Sequence, residues 1–107
     1  MKLSLWQQFS RLIDVINNVT DNEDRERAAE VLGDIRDARA VEPLIKALSS
    51  SDENVQRAAV RALGDLKDRR AVEPLLMLLK DSNSESKWAV IEALGKIADP
   101  RVIQPLI

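Results

Sequence analysis

The sequence predicts an all-α fold, an α-solenoid built from stacked two-helix repeats. Three observations carry this. Gly33, Gly64 and Gly95 are spaced by 31 residues, and so are Pro43, Pro74 and Pro105. The text between them aligns without gaps: Leu32, Leu63 and Leu94; Asp37, Asp68 and Asp99; Arg39, Arg70 and Arg101; Leu44, Leu75 and Leu106. Within each period, apolar residues recur at helical spacing, as in NVQRAAVRALGDL with Val55, Ala59, Ala62, Leu63 and Leu66 on one face. A two-helix unit with one apolar face cannot bury that face alone, so a row of such units shares a continuous core.

The first 20 residues depart from the repeat. Leu5, Phe9, Leu12, Ile13 and Ile16 make one apolar stripe, and Gln7, Arg11, Asp14 and Asn18 make the opposite polar one. This is the pattern of a capping helix, with one face for the stack and one for water. Trp6 is expected to pack in this cap. Residues 21–107 are expected to form the repeats, the last incomplete, within a single domain of 107 residues.

The Gly-bearing segment of each unit is one helix. Gly64 lies inside it at a cost of roughly 1 kcal/mol relative to Ala, and its return at every period points to close helix–helix approach. The Pro-bearing segment, AVEPLLMLLK, is the other helix, with Val72, Leu75, Leu76, Leu78 and Leu79 as its apolar residues. Pro74 lacks a donor and clashes with a preceding turn. The regular helix is therefore expected to begin close to Glu73 or Pro74, after a turn or a short 3₁₀ stretch. The links SSSDEN and DSNSES hold capping and turn residues. Translated forward, Ile107 falls where Leu76 stands, with no polar cap after it. The expectation is a fragment of a longer array; the other reading is an open end that contacts another chain.

Composition narrows the function. Hydrophobic residues make 45% and charged residues 32% of the chain, so it can fold, but aromatics are only 3%, which leaves the core to Leu, Ile, Val and Ala. Residues 1–56 carry 7 basic and 11 acidic side chains, a net −4; residues 57–107 carry 9 and 7, a net +2, matching the −2 of the whole. Neither half is the basic footprint of a nucleic-acid binder. No segment has the length of a membrane span, and MKLSLWQQFSRLI is too interrupted for a signal-peptide core. A cytoplasmic location is expected. Cysteine and histidine are both absent. Thiolate chemistry, His-ligated zinc hydrolysis and Ser-His triads are thereby excluded. The three glycines stand a full period apart, so no phosphate-binding loop is formed. The carboxylates Asp34, Asp65, Asp37, Asp68 and Asp99 are read as turn and cap residues. No catalytic residue, metal site or cofactor is expected.

The phrases LGDIRDARAVEPLIKAL and RAAVRALGDLKDRRAVEPLLMLL resemble the HEAT-like repeats named after phycobilisome lyases. The resemblance covers about residues 21–107 and implies a right-handed solenoid whose second, Gly-bearing helices line the concave side. It also implies that a Val-Arg pair opens each second helix. Here Val55 matches but Gln56 replaces the arginine, Asp24-Arg25 keeps only the arginine and Ser86-Lys87 keeps only a charge, so the polar ladder that such arginines form between repeats is not expected here. The functions it implies are broad: bilin-lyase subunits, scaffold proteins and a di-iron hydroxylase, whose His ligands this chain does not contain.

Counting back from each glycine, the seventh and third residues lie four apart on one exposed stripe of the second helices. They are Glu26 and Glu30, Arg57 and Arg61, then Trp88 and Glu92. These six are the candidate partner-binding residues. Trp88 stands where the pattern otherwise places charge, and Trp and Arg are enriched where binding energy concentrates. The expected function is a non-catalytic scaffold for a protein partner, with no nucleic acid and no membrane involved. The alternative is a lyase or chaperone-like subunit acting on a phycobiliprotein or other chromoprotein.

Overall fold

The computed structural model describes residues 5–18, 21–81 and 84–98, with the side chains of 5, 6, 18, 81, 84 and 85 outside that description. Among these residues the chain forms six α-helices and two 3₁₀ turns, without a strand. Helix α1 spans Leu5–Asn18, α2 Asn22–Ile35, α3 Val41–Ala47, α4 Glu53–Leu66, α5 Val72–Asp81 and α6 Ser84–Ile97. The solenoid is all-α, as the repeat implies.

The helix starts follow from capping chemistry. Asp21 precedes α2 and accepts from the amides of Glu23 and Asp24 at 2.9 and 3.3 Å. One period later Asp52 precedes α4 and accepts from the Val55 amide at 3.0 Å. The 3₁₀ turns Ala38–Ala40 and Arg69–Ala71 lead into α3 and α5. Helix α5 begins at Val72, two residues before Pro74, so the proline ring stands in the first turn, where its missing donor costs nothing. Helices α2 and α4 both stop at a residue in the left-handed conformation, Arg36 (φ 58°) and Lys67 (φ 54°).

The core is continuous from α1 to α6. Phe9 and Ile16 of α1 are buried, and Leu12 and Ile13 pack against the core at partial exposure. Gln7, Arg11 and Asp14 face solvent, so α1 has the two faces of a cap. The side-chain expectations for Leu5, Trp6 and Asn18 fall outside the described residues, as do those for Asp99, Arg101, Pro105, Leu106 and Ile107. Leu32, Leu63, Leu44 and Leu75 are fully buried at equivalent places in successive units. Leu76 departs from the expected pattern and is exposed. Its counterpart Ile45 lines a hollow together with Pro74 and Leu78 of the next unit.

The glycines explain the stacking. A methyl built on Gly33 would lie 2.9 Å from both Cα and Cβ of Ala62, and one on Gly64 would meet Ala93 at the same distances. The bare backbone of one helix thus takes the alanine of the next, twice, 31 residues apart. Gly95 has nothing within 4 Å of such a methyl.

Polar links hold the units in register. Arg25 donates through Nε to the Ile16 carbonyl at the end of α1 at 3.2 Å. Gln56, at the equivalent place, donates through Nε2 to the Leu48 carbonyl after α3 at 3.0 Å. The shorter amide does the same work as the arginine, satisfying an unpaired helix-end carbonyl. Ser86, buried, donates to Gln56 Oε1 at 3.1 Å and so extends this line to the third unit.

Candidate functional site

The Gly-bearing helices α2, α4 and α6 lie side by side in one layer, α2 against α4 and α4 against α6. The stripe residues of all three helices open onto its outer face. Glu26, Glu30 and Asp34 of α2, with Asn54, Arg57, Ala58 and Arg61 of α4, line a cavity of about 310 Å³. Arg57 and Arg61 also line the adjoining cavity of about 440 Å³, together with Trp88, Ala89 and Glu92 of α6. The two hollows therefore share one wall of arginine. All six residues singled out from the sequence lie along this surface.

Trp88 is 76% exposed, the most exposed large apolar side chain among the described residues. Glu30, Arg61 and Glu92 are exposed, while Glu26 and Arg57 are half-buried. Arg61 forms no ion pair with another described residue, nor do Glu26, Glu30 and Glu92. Their charges are left directed at solvent.

One step further along each helix, the stripe changes character. Asp34, Asp65 and Lys96 stand four residues after Glu30, Arg61 and Glu92, still inside α2, α4 and α6. The expectation that Asp34 and Asp65 serve turns is corrected here: each lies on the last helical turn and continues the exposed face. Asp65 accepts from Lys96 Nζ at 2.9 Å, an ion pair between neighbouring units. The spacing of four from Glu30 and Arg61 is the signal in the sequence that places them on this face, and the turn reading passed over it.

Asp37 and Asp68 do serve turns. Each accepts from the amide two residues on at 2.9 Å and also holds that residue's guanidinium. The Arg39 side chain, with help from the Arg39 amide, lowers the Asp37 carboxyl from 3.8 to about 2. Asp68 is lowered in the same way by Arg70. Both arginines reach out of their own turn. Arg39 stands 4.8 Å from the centre of the Phe9 ring in α1, and Arg70 donates to the Ala38 carbonyl of the preceding unit at 3.2 Å. A depressed carboxyl stabilises the fold above its unfolded value, and that contribution disappears as pH falls through the folded value. The stability difference between the parent and Asp37→Asn is therefore expected to be full above about pH 4 and to vanish as pH falls toward about 2. Urea melts at stepped pH check this.

Among the described residues no group of three acidic side chains is placed to hold a metal ion, and no helix is long and apolar enough to cross a membrane. No match was found among curated proteins. A family model of HEAT repeats matches residues 9–86 and again 42–107, together spanning most of the chain. With its helical hairpins, repeated Gly–Ala contacts and 31-residue period, the chain belongs to the HEAT-repeat family.

Proposed function

We propose that the chain is a non-catalytic scaffold that binds a protein partner on the outer face of α2, α4 and α6. HEAT repeats commonly mediate protein–protein interaction. The observation that carries the proposal is Trp88, 76% exposed and beside Arg57 and Arg61 in one hollow. A large aromatic left in water beside arginines is the composition of a binding hot spot.

The packing supports placing this face on the inside of the curve. The α2–α4–α6 layer is drawn together by backbone-to-methyl contact, whereas α3 and α5 are parted by a cleft lined by Ile45, Leu48, Pro74, Met77 and Leu78. A stack that is tighter in one layer bends toward that layer. The repeat text further supports the phycobilisome-lyase branch of these repeats as part of the same proposal.

Trp88→Ala is expected to weaken capture of a purified partner by roughly ten- to thirtyfold while leaving the far-ultraviolet circular dichroism unchanged. The partner is recovered by affinity purification from the source cells, and its affinity is then titrated against both proteins. An unchanged affinity would refute the assignment.

A further inference from the structure

The order of side chains across the groove carries more than the presence of a site. Crossing from α2 to α6, a ligand meets Glu26, Glu30 and Asp34, then Arg57 and Arg61, then Trp88 with Glu92 beside it. The acidic and basic rows stand on adjacent helices, yet Glu26, Glu30 and Arg61 are joined to no ion-pair partner among the described residues. The Lys96–Asp65 pair, at 2.9 Å on the same two helices as Arg61 and Glu92, shows that neighbouring units are close enough to pair when side-chain reach allows. The charges of Glu26, Glu30 and Arg61, held apart in a shallow hollow, are available to complementary charges from outside.

Packed helices stand about 8–10 Å apart, and an extended chain advances about 3.3 Å per residue. One helix-to-helix step therefore corresponds to about three residues of an extended ligand. We propose that the groove takes an extended peptide segment with basic residues over α2, acidic residues about three positions on over α4, and apolar residues about three further on over Trp88. The inference rests on the reading of this face as a protein-binding surface and names the chemistry of what it binds. Arg57 and Arg61, four apart on α4, engage the ligand's carboxylates; Glu26, Glu30 and Asp34 engage its lysines or arginines. Trp88 covers its apolar end, and Glu92 repels an acidic residue placed there. A ligand with its charges exchanged meets like charge at both rows.

The test uses the full chain and two capped synthetic peptides of equal composition. In one, two lysines, a serine, two glutamates, a serine and two leucines follow in that order; in the other, the lysine and glutamate pairs are exchanged. Fluorescence anisotropy of a labelled peptide end reads the affinity of each. The first peptide is expected to bind roughly tenfold tighter than the second, with the preference shrinking as salt is added. The double substitution Arg57→Glu with Arg61→Glu is expected to remove or reverse the preference, with helicity confirmed by circular dichroism. Equal affinities, or no measurable binding of either peptide, would overturn the inference. If Trp88→Ala abolishes capture of a protein partner while the two peptides bind alike, the groove remains the binding surface and the charge order does not select its ligand.

Discussion

Gly64→Ala is expected to destabilise the chain by about 1–3 kcal/mol, even though alanine is the better helix former by roughly 1 kcal/mol. The added methyl would stand 2.9 Å from both Cα and Cβ of Ala93. One of those atoms is backbone, so no rotamer change relieves the overlap. Helix α6 must move outward from α4, and its buried residues Val90, Ala93 and Ile97 lose packing against the core. Gly33→Ala is expected to behave alike, since its methyl meets Ala62 at the same distances. Gly95→Ala serves as the internal control. Its methyl meets nothing within 4 Å, so only the propensity gain remains and stability rises by up to about 1 kcal/mol. Urea or thermal melts of the three variants read the sign directly: two losses and one gain.

Leu63→Ala is expected to have a larger effect, a loss of about 2–5 kcal/mol. Leu63 is completely buried in α4, the helix that has a neighbour on either side. Removing its side chain opens a cavity between packed layers that cannot fully collapse. Truncating Met77 of α5, which is 64% exposed, provides the comparison, with an expected change within about 0.5 kcal/mol. For a domain whose total stability is typically about 5–15 kcal/mol, the Leu63 loss removes a large share. Circular dichroism at rising urea concentration measures both variants.

The repeating parts of the fold were legible because a period reports whatever recurs. Gly33 and Gly64 were readable as close approaches, and the paired sites Leu32 with Leu63 and Leu44 with Leu75 as core, because each pair meets the same surroundings twice. Trp88 was legible by contrast, since its counterparts Glu26 and Arg57 mark that register as surface. Features that do not recur from unit to unit were not legible in this way. Ile91 is the counterpart of buried Val60 and Ala29, yet it is 49% exposed. Val31 and Ile35 are the counterparts of Ala62, which meets Gly33 of the preceding unit, and of Leu66, which packs partly buried against the core; here they line a hollow beside Phe9 and Leu12 of α1 instead. The stripe identified Arg57 and Arg61 but not the role of Asp34 and Asp65. A turn reading satisfied both aspartates before the extent of α2 and α4 was seen.

Cross-unit hydrogen bonds were the least accessible, because they depend on side-chain reach rather than on residue class. Gln56 replaces an arginine in the repeat text, and the substitution reads as the loss of a link. In the fold Gln56 reaches the Leu48 carbonyl and accepts from Ser86, so it makes two links of its own. The Arg39–Phe9 contact joins a turn to the cap across 30 residues, and no local pattern announces it.

The central claim is that successive units stack through glycine on alanine. Nuclear Overhauser measurements on the isotopically labelled chain test it most directly. Cross-peaks are expected between the Gly33 α-protons and the Ala62 methyl and between the Gly64 α-protons and the Ala93 methyl. Well-resolved spectra lacking both, with these glycines instead contacting long side chains or solvent alone, would contradict the stacking.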